Sequence, residues 1–164
     1  MAIVHLVCGP IGAGKTTRSM ELARTLPGIR FSLDEWIINL YGNERPEPMH
    51  LEWWAERAAR SSSQIWQVCR QLLALNTDVI LDFGFGARSQ RHHYQTLARE
   101  VGAITKLHVV TTDIAERRRR VRLRNNEKAE AFALTITDAM FDASETWWEP
   151  PTPNELNEIE TVIP

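Results

Sequence analysis

Short apolar runs alternate with amphipathic stretches along the whole chain. The run Ile3–Cys8 (IVHLVC) is rich in β-branched residues and stops at Gly9, which is typical of a buried strand. Residues 14–26 carry apolar side chains at helical spacing, and Pro27-Gly28 ends that pattern. Further predicted strands are 29–33, 79–81, 104–110 and 158–163, and further predicted helices are 34–40, 50–75, 89–101, 114–126 and 137–145.

This alternation predicts a parallel sheet with helices on both of its faces, because a strand that is followed by a helix returns to the sheet in the same direction. Loops are expected at 42–48, at the glycine-rich 83–87 and at the prolines of 150–153. The sequence has no internal repeat and no low-complexity linker. We therefore expect one α/β domain over residues 1–164.

Composition and charge narrow the class of protein. The 164 residues are 43% apolar and 24% charged, which is the range of a folded globular domain. The net charge of −2 argues against charge-driven binding to nucleic acid or to acidic membranes. We expect a cytoplasmic protein without a signal peptide or membrane span, because no apolar segment approaches 18 residues. Cys8 and Cys69 form no metal-ligand pattern and are expected to be buried apolar residues in a reduced compartment.

The strongest motif is GPIGAGKT, which begins at Gly9 and matches G-x-x-x-x-G-K-[ST] between a predicted strand and a predicted helix. Its glycines let backbone N–H groups converge on phosphate oxygens, and the following helix directs its N-terminus at the same anions. Lys15 is expected at the outer phosphates, and the Thr16 hydroxyl at Mg²⁺. The predicted nucleotide-binding residues of this loop are Gly9, Pro10, Ile11, Gly12, Ala13, Gly14, Lys15, Thr16 and Thr17.

Among phosphate-loop proteins, the sequence favours a small kinase. A GTPase needs a guanine-reading N-K-x-D element, which the stretch Asn125-Asn126-Glu127-Lys128 does not match. A large mechanical ATPase needs a longer chain. A small kinase needs the loop, an acid at the metal, an acid at the acceptor hydroxyl and a basic lid.

Two aspartates are candidates for those acidic roles. Asp82 ends the predicted strand VILD, where a carboxylate can hold Mg²⁺ directly or through water; alternatively it begins a loop and caps a turn. Asp34 follows the second strand, where it can take the proton of an acceptor hydroxyl. Alternatively, Asp34 or Ser32 caps the short helix that follows.

An arginine-rich stretch supplies the candidate lid. Residues 116–124 contain six arginines, and helical spacing places Arg117, Arg120 and Arg124 on one face and Arg118 and Arg122 on another. Arginines of a lid neutralise charge on the transferring phosphoryl group. The alternative is an ordinary solvated basic helix.

The acceptor should approach from the side of Asp34. Aromatic and polar residues that can line this side are Trp36, Asn39, Tyr41, His50, Trp53, Trp54, Phe83 and Phe85. Trp36, Tyr41 and Trp54 are predicted to bind the acceptor, although the tryptophans are equally suited to the core. Arg88 and Arg91 either bind an anionic group of the acceptor or cover a helix terminus.

A last stretch, Asp138, Asp142, Glu145, Trp147 and Trp148, is acidic and aromatic. It either receives a cationic ligand or belongs to a helix that docks on the sheet.

The pieces GPIGAGKTT, FSLDEW, VILDFGF and RRRVRLRN, in this order, resemble the small AAA-type P-loop kinase family, which is similar to polynucleotide kinase, zeta toxins and chloramphenicol phosphotransferase. The resemblance implies a nucleoside-monophosphate-kinase-like P-loop fold, with a five-stranded parallel sheet and the phosphate-loop strand at its centre. It implies ATP and Mg²⁺, Asp34 as the base, and an Arg-rich lid. Arg118, Arg120 and Arg124 are implied around the nucleotide, with Arg120 acting in catalysis, and residues 151–153 beside adenine.

The expected function is ATP-dependent transfer of a phosphoryl group to a hydroxyl of a small molecule such as an antibiotic, a sugar or a nucleoside. One alternative is a polynucleotide 5′-hydroxyl kinase, which the net charge disfavours. A second alternative is a non-catalytic ATP-binding regulatory module that acts through a partner.

Overall fold

A computed structural model describes residues 1–47, 49–126, 135–158 and 160–162. Residues 48, 159 and 163, which belong to a predicted loop and a predicted strand, lie outside the described residues, as do Glu127 and Lys128. The strands are β1 (Ile3–Cys8), β2 (Gly28–Ser32), β3 (Asp78–Gly84), β4 (Ile104–Val109) and β5 (Glu160–Val162). The helices are α1 (Lys15–Thr25), α2 (Leu33–Tyr41), α3 (Leu51–Ala74), α4 (Arg88–Glu100), α5 (Ile114–Asn126), α6 (Asp138–Trp147) and α7 (Pro153–Glu158), with a 3-10 turn at Gly42–Glu44.

The sheet is parallel and its order is β2-β3-β1-β4-β5, so the strand that leads into the phosphate loop is central. The body of the sheet is formed by β1 to β4, and β5 is a three-residue segment that pairs with β4 at one edge. The predicted parallel sheet with flanking helices is confirmed. Of the strand expected over 158–163, residues 160–162 form β5, residue 158 ends a helix, and residues 159 and 163 lie outside the described residues. The sequence also predicted no helix at α7.

Alternate residues of β1 pack on opposite faces of the sheet, as the two-residue period of a strand requires. Val4, Leu6 and Cys8 belong to the larger core cluster, together with Ile65 of α3 and Ala98 of α4. Val7 points to the other face and packs with Leu22 of α1, Ala13, Ile80 and Val110. The domain therefore has three layers, with α1 on one face of the sheet and α3 and α4 on the other.

A third apolar cluster joins the carboxyl-terminal helices to the phosphate loop. Phe141 of α6 and Val121 of α5 are buried with Ile136, and Ile11 of the phosphate loop packs against them. Hydrophobic contact thus places α5 beside the loop, at the carboxyl edge of the sheet. This is the edge at which open parallel sheets bind ligands.

The strand β3 does not end at Asp82 as predicted but continues to Gly84. Its register with β1 slips by one residue, from Leu6 opposite Leu81 to Cys8 opposite Gly84. Beyond the strand, Phe85 is buried with a positive φ of 45°. The irregularity lies at Asp82 and Phe83, between the pairs Leu6–Leu81 and Cys8–Gly84 near the carboxyl end of β1, and both residues line the pocket above the phosphate loop.

Candidate active site

The loop between β1 and α1 folds as a phosphate-binding loop. Gly12 and Gly14 have φ values of 77° and 103°, a region that suits glycine because it has no Cβ. The Lys15 ammonium donates a hydrogen bond of 2.9 Å to the Pro10 carbonyl, so the lysine side chain curls back over the loop. The backbone N–H of Ala13 also donates to Pro10. These contacts hold the loop as a closed turn at the N-terminus of α1.

Two glycines are required by close packing. A Cβ on Gly9 would lie 2.3 Å from the carbonyl oxygen of Val110, and one on Gly12 would lie 2.7 Å from that of Arg117. Both obstacles are backbone atoms, which cannot move as a flexible side chain does. The loop is therefore seated directly against the end of β4 and the first turn of α5.

A cavity of about 630 Å³ opens above this loop. The predicted site residues that line it are Ile11, Gly12, Gly14, Lys15, Thr16, Thr17, Asp34, Trp54, Asp82, Phe83, Arg120 and Arg124. Gly84, Val121 and Ile136 complete its wall, and the sequence analysis had not assigned them to the site. The tertiary structure thus brings the loop, both candidate aspartates and two of the arginines to one pocket.

Asp34 is in a position to act on a ligand. The cap of α2 is Ser32, whose hydroxyl accepts a hydrogen bond of 3.4 Å from the Glu35 N–H, which decides between the two capping alternatives. Asp34 is exposed on the pocket wall and accepts no hydrogen bond from the described residues. The surrounding protein still removes part of its hydration, and this raises the pKa of its carboxyl; the charge of Asp82 adds to the rise, and Lys15 and Arg124 oppose it.

Lys15 lines the same pocket as both carboxylates. Loss of solvation lowers the pKa of its ammonium group, and the negative charges of Asp82 and Asp34 oppose this shift. Within this pocket the ammonium group can meet the outer phosphates of a nucleotide.

Asp82 is buried and does not cap a turn. Its Oδ2 accepts hydrogen bonds from the Ser19 hydroxyl at 2.8 Å and from Arg30 Nη2 at 2.9 Å, while Oδ1 accepts none from the described residues. The sequence analysis missed Arg30 and Ser19. The signal for Arg30 was a charged residue in a short strand, one position after the apolar Ile29 and one before the buried Phe31.

The pocket fits a magnesium ion that is held mainly by nucleotide phosphates. Thr16 is exposed in the first turn of α1, and both Thr16 and Asp82 line the pocket. Among the described residues there is no group of three or more histidine, cysteine, aspartate or glutamate side chains that would hold a metal by themselves. Mg²⁺ prefers oxygen ligands and keeps several waters, so a hydroxyl and one water-bridged carboxylate suit it.

The arginines of α5 differ in their surroundings. Arg120 and Arg124 line the pocket, and Arg120 is held by a 2.8 Å hydrogen bond from its Nε to Glu116. Arg117 is buried and braces the loop: its Nη1 donates to the Ile11 carbonyl at 3.2 Å. Only part of the predicted lid therefore faces a ligand.

The prediction that Arg118 lies around the nucleotide is wrong, because its side chain does not line the pocket. It pairs with Asp142 at 2.5 Å and covers the ring of Phe141 at 4.6 Å. Asp138 likewise pairs with Arg122 at 2.9 Å. The acidic stretch of α6 therefore docks on the basic helix α5 and not directly on the sheet.

Four predicted acceptor residues do not line the pocket. Arg91 is fully buried in a two-pronged ion pair with Glu155, and it donates a hydrogen bond of 3.0 Å to the Phe85 carbonyl. Arg88 is exposed beyond the pocket rim. The prediction for Arg91 is wrong because its charge is already balanced inside the core.

Of the aromatic residues that were predicted to bind the acceptor, some line the pocket and others do not. Trp36 packs on the core with its ring 6.2 Å from that of Phe31, and Tyr41 lies 5.8 Å from the guanidinium of Arg57. Trp54 alone of the three predicted acceptor aromatics reaches the pocket. Residues 151–153 do not line it either; the Thr152 hydroxyl instead accepts a hydrogen bond from Glu155 N–H at the start of α7.

Within the described residues, no helix has both the length and the apolar character needed to cross a membrane. Cys8 and Cys69 are both free and buried, as predicted.

Comparison with known proteins identifies the family. The family model described as an AAA domain matches residues 4–151, whereas the comparison with curated proteins finds no match. A candidate kinase from Chloroflexus aurantiacus is similar in structure, with a TM-score of 0.75 and 19% identity over 99% of this chain and 84% of that one. Kti12 from Chaetomium thermophilum, in complex with ADP-AlF3, gives 0.70 and 17% identity over 99% and 88%. A gluconokinase from Sinorhizobium meliloti gives 0.54 and 15% over 99% and 80%. At these identities the solved structures show the fold, and the family match covers most of the chain. The chain therefore belongs to the small AAA-type P-loop kinase family.

Proposed function

We propose that the protein is an ATP-dependent kinase that phosphorylates a hydroxyl of a small molecule. The observation that carries this proposal is the position of Asp34, a carboxylate that lines the same pocket as Lys15. Asp34 does not cap its helix, and it pairs with no cation of the described residues within hydrogen-bond distance. A protein that only holds ATP has no need of such a group. Structural similarity to a gluconokinase and to a candidate kinase is consistent with this function.

The reaction follows from the arrangement of the pocket. The phosphate loop, with Lys15 and Thr16, binds the nucleotide phosphates, and Mg²⁺ supplies charge neutralisation of the β- and γ-phosphates when bound. Asp34 accepts the proton as the acceptor O–H bond breaks, and the oxygen forms a bond to the γ-phosphorus. The bond from that phosphorus to the β-phosphate oxygen breaks, and ADP leaves. Arg120 and Arg124 stabilise the charge on the transferring group.

The acceptor is expected to be small and to have an apolar or flat portion. Trp54 and Phe83 line the pocket beside Asp34, and aromatic rings suit such a ligand. The cations that line the pocket, within the described residues, are Lys15, Arg120 and Arg124, all of which surround the phosphate loop. The net charge of −2 disfavours a polynucleotide acceptor. The two free, buried cysteines favour a reduced cytoplasmic setting.

The direct test is a search for phosphorylated products by mass spectrometry. The protein, ATP and Mg²⁺ are incubated with pooled antibiotics, nucleosides, sugars, sugar acids and 5′-hydroxyl oligonucleotides. We expect one acceptor class to gain the mass of one phosphoryl group. The Asp34→Asn variant should lose this product by about 10²- to 10⁴-fold while ATP affinity is kept, because only the proton acceptor is removed.

Asp142→Asn is the matched control, since Asp142 is an exposed aspartate outside the pocket. It should keep full activity. Loss of ATP binding in Asp34→Asn would make Asp34 a structural residue. ATP binding by the wild type without any phosphorylated product would instead favour a regulatory ATP-binding module, and a product only among the oligonucleotides would favour a polynucleotide kinase.

A further inference from the structure

Arg30 lies at the centre of a buried polar network beneath the pocket. It belongs to β2, on the sheet face that α1 covers, and its side chain is 13% exposed. Each of its three guanidinium nitrogens donates a hydrogen bond: Nε to the Ser19 hydroxyl at 2.7 Å, Nη1 to Glu35 at 2.8 Å and Nη2 to Asp82 at 2.9 Å. One planar group therefore joins α1, α2 and β3.

The two carboxylates that Arg30 binds belong to different parts of the candidate site. Asp82 lines the pocket on the side of the phosphate loop. Glu35 is the residue next to Asp34, in the first turn of α2. The guanidinium group has a fixed, flat geometry, so its bond to one carboxylate sets where the other can lie.

Arg30 also fixes which oxygen of Asp82 is available. It shares Oδ2 with the Ser19 hydroxyl, which leaves Oδ1 without a hydrogen bond from the described residues. Without the guanidinium, the Ser19 hydroxyl alone would hold the Asp82 carboxylate, and the buried charge would lose the ion pair that compensates it. An ion pair whose only role is stability has no need to join a pocket residue to the neighbour of a second pocket residue.

We propose that Arg30 is a positioning residue of the kinase reaction, which aligns the Asp82 carboxylate and the first turn of α2, and with it Asp34, relative to the phosphate loop. This inference rests on the proposed function. Arg30 does not line the pocket and acts through the two carboxylates that it binds.

The test compares Arg30→Met and Arg30→Lys with the wild type. In transfer to the acceptor found above, or in slow ATP hydrolysis, Arg30→Met should lower kcat by about ten- to hundredfold with KM for ATP changed less than threefold, because a misplacement of about 1 Å costs up to about 10²-fold. Arg30→Lys should recover most of the melting temperature and little of kcat, since one ammonium group cannot bridge both carboxylates. Full kcat in Arg30→Lys would overturn the proposal.

Two further variants separate positioning from simple loss of stability. Arg91→Lys weakens another buried arginine–carboxylate pair that lies outside the pocket, and it should lower the melting temperature without changing kcat per folded molecule. Glu35→Gln removes only the ion pair between Arg30 and α2 and should lower kcat several-fold. It provides the test if Arg30→Met does not fold, and an unchanged kcat in Glu35→Gln would then overturn the proposal.

A binding measurement tests Arg30 independently of phosphoryl transfer. The affinity for ATP is measured by calorimetry with and without Mg²⁺ in the wild type, Arg30→Lys and Arg91→Lys. Loss of Asp82 alignment predicts that the gain in affinity from Mg²⁺ is measurably smaller in Arg30→Lys, within the limit stated for KM, and unchanged in Arg91→Lys. If the wild type phosphorylates nothing, the proposed function fails, and this ratio still decides whether Arg30 aligns Asp82: an unchanged ratio overturns the inference.

Discussion

Arg117 is expected to be the side chain on α5 with the largest effect on both stability and nucleotide binding. It is buried, and Nη1 and Nη2 bind the two oxygens of Glu145 at 2.7 Å each, while Nε donates to the Thr112 carbonyl at 3.0 Å. A further bond reaches the Ile11 carbonyl in the phosphate loop. Replacement by methionine keeps the apolar stem of the side chain and removes all of these bonds.

The magnitude follows from the exposure of the two partners. Breaking a buried pair by removing one partner costs about 3–5 kcal/mol. The Glu145 side chain is 25% exposed and regains part of its hydration, so the lower end applies, about 3 kcal/mol. For a chain of this size each kcal/mol lowers the melting temperature by about 2–4 °C, which gives about 6–12 °C for Arg117→Met. The affinity for ATP should also fall several-fold, because the loop loses its contact at Ile11.

Arg119→Met is the matched control on the same helix. Arg119 is 65% exposed, and its ion pair within the described residues is with Glu116, so its loss should leave the free energy of unfolding nearly unchanged. Urea unfolding followed by circular dichroism measures both variants, and calorimetry measures ATP binding. Equal stabilities of Arg117→Met and Arg119→Met would refute the reasoning, as would unchanged ATP affinity in Arg117→Met. The double variant Arg117→Met with Glu145→Leu should be more stable than Arg117→Met, because no unpaired carboxylate remains.

Three further predictions concern the loop and the sheet. Gly12→Ala should weaken ATP binding at least about tenfold, because its Cβ would meet the Arg117 carbonyl; Gly102→Ala, which has a similar φ of 72° and no atom within 4 Å, should bind ATP normally. Lys15→Ala should weaken ATP binding and abolish transfer, and a fully active variant would contradict the phosphate-loop interpretation. Burial lowers the pKa of His108 to about 4, below the value of about 6.5 of an unfolded histidine, so the unfolded chain takes up the proton first as the pH falls. The resulting stability is fully present above about pH 6.5 and is lost as the pH falls towards 4, so the unfolding free energy of the wild type decreases over this range. His108→Gln should reduce this dependence on pH by up to about 1.4 kcal/mol per pH unit. Equal slopes in the wild type and the variant would disprove the prediction.

The phosphate loop and the order of elements could be predicted because both depend on local signals. The loop needs glycines at fixed positions where N–H groups converge, and a strand and a helix need their own periodicities. These features require no knowledge of distant contacts. The element boundaries mostly agree to within two residues; the exceptions are the end of β3 and the helix α7, which was not predicted.

The assignment of individual charges could not be predicted, because each depends on which partner the fold brings near. Arg118 and Arg120 are two residues apart on one helix, yet Arg118 pairs with Asp142 of α6 and Arg120 lines the pocket. Arg91 was predicted to bind an anionic group of the acceptor, but in the structure it pairs with Glu155, which lies 64 residues later in the chain. Helical spacing reports which residues share a face and not what that face meets.

The sequence by itself thus determined the class of protein, the phosphate loop and the presence of two aspartates near the carboxyl ends of strands. Only the tertiary structure decided that Ser32 caps α2 and leaves Asp34 in the pocket, and that Arg30 reaches Asp82 across 52 residues of chain. The reason is physical: a buried charge is stable only beside a partner, and that partner is chosen by the packing of distant elements rather than by neighbours in the sequence.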